Sequence, residues 1–364
     1  MLKPVELRHK LHSLPELMYQ EFETTKTLVE NISEIPGIVI HRPLETGLVV
    51  EYTVNNGDYL LFRADIDALP IVEETGLPFA STNNLMHACG HDVHTSILYR
   101  FLLEVVKKKG DRNILFLFQP AEEGGGGALK MLESGVFDQF NISKAFALHV
   151  TDDYDRGTIA STPGVLFASA NEIVLEFHGR QAHVAFPENG IHAFDGLMAY
   201  LSRAKKLIEP KKDTMLFGYG KIQSGTARNI IPAHAVAECT IRALNIDDSW
   251  WFIDQLKTLS KEVEKETGVK TEVIHGDPYL EVVVDKALYH KYTPVLSKDF
   301  IVIDCGSKMT GEDFGFISKK YPSFMFWLGT STGERHGLHT PKFFPPDETI
   351  EDGFKAFWRI LEGE

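Results

Sequence analysis

Three apolar runs in the first half of the chain each end in residues that carry chemistry, and this repetition restricts the fold more than any other feature. Tyr59-Leu60-Leu61-Phe62-Arg63-Ala64 leads into Asp65-Ile66-Asp67. Ile114-Leu115-Phe116-Leu117-Phe118 leads into Gln119-Pro120-Ala121-Glu122-Glu123 and four glycines, and Lys144-Ala145-Phe146-Ala147-Leu148 ends in His149. An unbroken apolar run of strand length suits a strand buried on both faces, the normal condition of a parallel sheet covered by helices. In such sheets ligand sites gather at the carboxyl ends of strands. A lone histidine at a strand end is more often a hydrogen-bonded core residue, but a third strand delivering polar side chains to one end favours a site.

Between the first two runs lies Met86-His87-Ala88-Cys89-Gly90-His91-Asp92-Val93-His94-Thr95, with imidazoles, a thiol and a carboxylate in one stretch. Cys89 and His91 flank a single glycine, so an extended backbone points both side chains to one side while the glycine permits a sharp turn. Residues from Asp92 to Lys109 have helical apolar spacing, so the donors sit beside a helix N-terminus. Adjacent Glu122 and Glu123 at the end of a buried strand are costly without a positive charge beside them, which a cation supplies. Because Pro120 ends the ladder, one glutamate can ligate while the other approaches a water. His336 and His339 compete for a last ligand position. His9 and His12, with no second ligand type beside them, read as surface or packing residues.

At 364 residues the chain is comfortable as two domains, and 43% hydrophobic with 24% charged residues is globular composition. A net charge of −14 argues against binding a phosphate backbone, hence no nucleic-acid partner. Three widely spaced cysteines favour a reducing compartment. The charged N-terminus lacks the apolar core of a signal peptide and no stretch reaches membrane-spanning length, so the expectation is a cytoplasmic protein with no membrane partner.

The remaining elements follow from periodicity. Asn55-Asn56-Gly57-Asp58 between two β-rich runs predicts a hairpin. Helices separated by a break at Ser13-Leu14-Pro15 are expected before residue 31, and a closing helix from about Thr349 to Leu361. From about Ala170 the pattern becomes β-α-β-β-α-β, the split βαβ arrangement of a ferredoxin-like domain. The expected division is a catalytic domain of 1–169 with 277–364, interrupted by an inserted domain of 170–276. Within the insert, Gly179-Arg180-Gln181-Ala182-His183 and Gly225-Thr226-Ala227-Arg228-Asn229 place polar donors in loops. An arginine beside an asparagine suits capture of a substrate carboxylate.

Phe62 to Leu69, His87 to Thr95, Phe118 to Gly125, Gly157 to Ala160, Met309 to Gly315 and Lys320 to Gly329 together resemble the metal-dependent amidohydrolases of the peptidase M20 family, in its aminoacylase and hippurate-hydrolase branch. The resemblance is essentially full length. It implies a mixed-sheet α/β/α, metallo-aminopeptidase-like catalytic domain with an inserted ferredoxin-like lid and dimerisation domain. It implies two divalent metal ions, zinc, manganese or cobalt, held by Cys89, His91, Glu123, His149 and His339. Glu122 becomes the general base, and Asp67 or Asp65 supports the site. His183 and Asn229 match oxyanion-stabilising positions, often acting across a homodimer. The activity implied is hydrolysis of an N-acyl amino acid, with N-acetyl-diaminopimelate the first candidate and a broader aminoacylase or carboxypeptidase the alternative. From another class, the chain could be an inactive metal-binding dimer that binds a small molecule, which the intact Glu122-Glu123 pair opposes.

Overall fold

The computed structural model describes residues 1–364. In chain order its elements begin with α1 (Pro4–Ser13), α2 (Phe22–Ile32), β1 (Val39–His41), β2 (Leu48–Tyr52), β3 (Tyr59–Asp65), α3 (His91–Lys108) and β4 (Asn113–Gln119). There follow α4 (Gly127–Glu133), β5 (Ile142–Asp155), β6 (Thr158–Ser161), β7 (Gly164–Phe167), β8 (Ser169–His178), β9 (Ala182–His183), α5 (Ala193–Ile208), β10 (Met215–Ser224) and β11 (Ile230–Ile231). The chain closes with β12 (His234–Ala243), α6 (Ile246–Thr267), β13 (Lys270–His275), β14 (Val282–Val284), α7 (Lys286–Leu296), β15 (Ile301–Asp304), α8 (Phe314–Lys320), β16 (Ser323–Ser331) and α9 (Thr349–Glu362). No helix is long and apolar enough to cross a membrane.

The chain divides into two compact units. The first comprises Met1–Leu166, Val282–Gly306 and Phe316–Glu364. It holds a mixed eight-stranded sheet in the order β1-β2-β4-β3-β5-β16-β6-β15. β4, β3, β5 and β16 are mutually parallel. Their aliphatic and phenylalanine side chains are buried, as their unbroken sequence runs require. Phe62 of β3 packs against Phe146 of β5, Phe101 of α3 and Phe357 of α9, with ring centroids 4.8, 4.7 and 5.1 Å away, so both long helices are fixed to the middle of the sheet.

The hairpin expected at Asn55-Asn56-Gly57-Asp58 does not form, because β4 enters between β2 and β3. β4 is antiparallel to β2 and parallel to β3. Two features explain the arrangement. Every residue of β4 is buried, so the strand needs partners on both edges. Asn113, its first residue, also holds the turn: Oδ1 accepts from Val54 N and Asn55 N at 2.8 and 3.0 Å, and Nδ2 donates to the carbonyls of Asn55 and Gly57. The turn is therefore tied to the start of a third strand.

The second unit comprises Phe167–Glu281 with Ser307–Gly315. Its antiparallel sheet has the order β10-β12-β8-β13, and α5 and α6 cover one face, giving the βαββαβ arrangement. Alternation in β8 sends Ile173, Leu175 and Phe177 into a core with Leu197, Tyr200 and Phe252, and leaves Glu172, Glu176 and His178 on the other face.

Candidate metal centre and its supports

The donors singled out in the first unit converge. α3 begins at His91, one residue before the expected start, with Gly90 as its N-cap at φ +80°. A side chain at Gly90 would meet Val150 Cγ2 at 2.4 Å, so only glycine lets the turn lie against β5. That turn presents Cys89 and His91 to the carboxyl ends of the parallel strands. Cys89 Sγ lies 3.4 Å from His149 Nε2 and 3.2 Å from His339 Nε2. Glu123 Oε1 lies 3.2 Å from His339 Nε2 and 4.0 Å from His91 Nε2. Ligand atoms of Cys89, His91 and His149 lie within 4.8 Å of one another, as do those of Cys89, Glu123 and His339, and of His91, Glu122 and Glu123. His336 is not part of the cluster; its Nε2 faces Glu334 at the surface, 3.7 Å away.

His91 and His149 are each oriented by the other ring nitrogen. His91 Nδ1 donates to the carbonyl and Oδ1 of Asp67, at 3.0 and 3.1 Å, which leaves Nε2 buried with no hydrogen-bond partner. His149 Nδ1 donates to the carbonyl of Val150 at 2.8 Å, turning Nε2 toward Cys89. Asp67 Oδ2 also accepts the backbone N–H of Glu123 at 2.9 Å, so one buried carboxylate fixes two of the donors. The glutamates sit on a loop closed by Gly127 N to Ala121 O at 3.0 Å. A side chain on Gly127 would collide with the Pro120 carbonyl at 1.6 Å.

The electrostatics describe a site built for cations. Asp65, Asp67, Glu122 and Glu123 lie together with little or no solvent exposure, and the Arg63 guanidinium pairs with Asp65 Oδ2 at 2.7 Å. Burial and then Glu123, Glu122 and Asp65 push the Cys89 thiol well up. Burial would lower His91, but Asp65, Asp67 and Glu123 outweigh it and raise the imidazole to about 10. Burial and neighbouring imidazoles push His149 well down, into the neutral form a ligand needs. A proton on His91 Nε2 finds no acceptor in hydrogen-bonding range. A divalent cation there satisfies that nitrogen and reverses the pressure on the thiol. The mixed sulfur, nitrogen and oxygen donors therefore fit metal ions.

Sequence reading missed the supports. His94, one helical turn after His91, donates from Nδ1 to Asp65 Oδ1 at 2.6 Å and accepts Val150 N–H on Nε2 at 2.9 Å. The i, i+3 spacing from His91 is the signal that it shares the buried face. His12 takes the packing role rather than the surface one, buried with Nδ1 at 2.9 Å from Asp92 Oδ2 and Nε2 at 3.1 Å from Glu73 Oε1. Arg8 Nε reaches the same Asp92 oxygen at 3.3 Å, so α1 is pinned to the first turn of α3. His9 does pack at the surface, stacked on Phe79 at 3.7 Å.

His183, Arg228 and Asn229 belong to the second unit, where the structure brings them into one exposed arm. β9 pairs with β11, placing His183 opposite Ile230, and Val184 N donates to the Asn229 carbonyl at 3.1 Å. His183 Nδ1 accepts from Ala185 N at 3.0 Å, so Nε2 is the nitrogen left to act outward.

With fold and donors in place, comparison with known proteins is informative. Residues 61–363 match the model of peptidase family M20/M25/M40. The chain belongs to this family of hydrolases. It is 38% identical over 352 residues to an N-acetyldiaminopimelate deacetylase of Exiguobacterium sibiricum, covering 95% of each chain. It is 36% identical over 357 residues to a protein of that name from Bacillus cytotoxicus, covering 96% of this chain and 94% of the other. Among solved structures, a dinuclear metal binding peptidase of the M20 family from Bacillus subtilis superposes with a TM-score of 0.83 at 29% identity, covering 98% of this chain and 96% of that one.

Proposed function

We propose that this chain hydrolyses the N-acetyl amide of N-acetyl-diaminopimelate, giving diaminopimelate and acetate, as a step of lysine biosynthesis. The substrate reading is supported by the two similar deacetylases, and the chemistry by the neighbouring Glu122 and Glu123, both of which have a carboxylate oxygen within 4.8 Å of the His91 donor atom, so that one can serve as ligand and the other as proton carrier. Cys89, His91, Glu123, His149 and His339 would hold two divalent cations, from the set zinc, manganese and cobalt. When bound, such a pair lowers the pKa of a water and polarises the acyl carbonyl.

The chain's own residues supply the rest. Glu122, buried close to His91 and Glu123, takes a proton from the attacking water and returns it to the departing nitrogen, a two-stage role that suits a carboxylate placed by the metal ligands without being one of them. Asp67 keeps His91 and the Glu123 backbone in place, and Asp65 acts through Arg63 and His94, so both are positioning residues. His183 Nε2 and Asn229 offer donors for the oxyanion, worth about 3 kcal/mol for one such donor. Arg228 offers a fork for a substrate carboxylate.

We read the inserted unit as the surface through which a homodimer forms. β10 is an unpaired sheet edge, and Leu216, Ile222 and Ile274 are exposed on the unit. Sedimentation equilibrium of the whole chain tests this, a monomer at all concentrations being the contrary result. Three cysteines outside any disulfide, two of them buried, support a cytoplasmic setting.

The deciding experiment is Glu122→Gln. It should abolish turnover while metal content stays that of the wild type, and retained turnover removes the general-base role. Comparing kcat/KM for N-acetyl-diaminopimelate with that for benzoylglycine tests the substrate. A higher value for benzoylglycine would favour a broad aminoacylase, and no hydrolysis of either with any of the three metals would favour a binder.

A further inference from the structure

The open face of the second unit's sheet carries a donor group that the proposed chemistry does not use. His178 on β8 and His234 on β12 are direct cross-strand partners, with rings stacked at 5.1 Å and 30°. Glu176, two residues before His178, points to the same face. Its Oε2 lies 3.3 Å from His178 Nε2 and 3.6 Å from His234 Nε2. The three ligand atoms all fall within 4.8 Å of one another. With metal–ligand bonds of about 2.0–2.1 Å, two donors of a tetrahedral zinc shell stand about 3.3–3.4 Å apart. The glutamate oxygen is therefore already close to an edge length from both imidazole nitrogens.

The surrounding charges also bear on the site. Glu272 on β13 is the cross-strand partner of Glu176, and Lys270 is that of His178. Directly opposed carboxylates repel, and one lysine beside three donors does not coordinate, so a cation between the imidazoles and Glu176 offsets the excess negative charge.

We propose that Glu176, His178 and His234 form a binding site for a divalent transition-metal ion of the zinc class, built from residues other than those of the Cys89 cage. Its place in the chain gives it a consequence. His178 is the last residue of β8, Gly179 N donates to the Ala233 carbonyl at 2.8 Å, and His234 is the first residue of β12. The chain leaving His178 leads to His183, and the chain entering His234 comes from Asn229. An ion at this position ties the two strands at the root of the arm that carries both residues. That effect on the arm rests on the function proposed above; the binding site does not.

Equilibrium dialysis of the full chain against zinc ions, followed by elemental analysis, tests the site without reference to activity. The wild type should hold one more zinc per chain than the His178→Gln/His234→Gln variant, and Glu176→Gln should lose the same equivalent while preserving side-chain shape. In wild-type protein with labelled histidine, the ring resonances of His178 and His234 should shift as zinc is added. Amide exchange over residues 179–184 should slow in parallel. Equal zinc content in wild type and double variant, or ring resonances unmoved at saturating zinc, would overturn the proposal. Should the zinc equivalent be present while Glu122→Gln retains turnover, the site stands and the catalytic reading falls.

Discussion

Asp65 Oδ1 accepts a hydrogen bond from His94 Nδ1 at 2.6 Å, whereas Asp67 Oδ1 accepts from His91 Nδ1 at 3.1 Å, so two aspartates two residues apart hold two imidazoles one helical turn apart. Their dependents differ. Asp67 grips a proposed ligand and, through Oδ2, the backbone of another. Asp65 grips His94 and Arg63, both fully buried, which ties α3 to the sheet. Asp67→Asn should cost about 10–100-fold in metal affinity, since an asparagine cannot accept on both atoms. Asp65→Asn should cost about 3–5 kcal/mol of folding stability by breaking its buried ion pair with Arg63. Chelator competition and denaturant unfolding on both variants check this; if Asp65→Asn lost metal affinity at unchanged stability, the division of labour would be wrong.

The second prediction concerns pH. Burial alone would lower His12, but Asp92 and Glu73 outweigh it and raise the imidazole from 6.5 to about 9. A folded-state value above the unfolded one means that the imidazolium stabilises the fold fully below about pH 6.5 and that this contribution is lost as pH rises through about 9. The whole effect is on the order of 3 kcal/mol. Denaturation midpoints measured from about pH 6 to about pH 9 should fall in the wild type. The fall should be shallower in His12→Gln, which cannot carry the charge, and an identical slope in both proteins would show that the Arg8, His12, Asp92 and Glu73 group is not charged as described.

What the sequence makes legible follows from how local each signal is. Cys89 and His91 share one short run, Glu122 and Glu123 follow an apolar strand, and His149 closes an apolar run although β5 itself continues to Asp155, so a pattern of apolar runs ending in donors is enough to find them. The period of the pattern changes near residue 170, close to Phe167 where the second unit begins, but no local signal separates Ser307–Gly315, which the structure groups with that unit, from the expected catalytic segment 277–364. The position of β4 cannot be read, because strand pairing depends on which edges need partners, and the Asn55–Asp58 turn looks the same whether β3 or β4 follows β2 in the sheet. The pinning of α1 to α3 cannot be read either. Its ion pairs join residues 84 and 80 positions apart, Arg8 and His12 to Asp92, and neither end carries a local motif.

Gly90 offers a test of the turn itself. Its φ of +80° costs a residue with a side chain about 1–2 kcal/mol. The contact of 2.4 Å with Val150 Cγ2 adds an overpacking cost of about 1–3 kcal/mol. Gly90→Ala should therefore lower stability by the sum of the two and disturb metal binding at Cys89 and His91. Adding Val150→Ala removes the clash but not the backbone strain. The double variant should recover metal binding ahead of stability, as read by metal titration and urea unfolding, and full recovery of both would mean that the backbone strain is not real.

Metal removal should destabilise the first unit because the cage gathers several buried carboxylates whose mutual repulsion bound cations relieve. A ligand that binds the folded form alone stabilises it by about 2.7 kcal/mol at one hundred times its Kd. Dialysis against a chelator should thus lower the melting temperature of the first unit and abolish hydrolysis, and adding zinc, manganese or cobalt should reverse both. The variants separate holding from chemistry. His339→Gln removes a donor 3.2 Å from Cys89 Sγ, so it should blunt the thermal response to added metal. Glu122→Gln should keep the full thermal response without turnover, because Glu122 is assigned to proton transfer and not to the proposed ligand set. If the two variants responded alike in melting temperature, Glu122 would belong among the ligands and the proton would need another carrier.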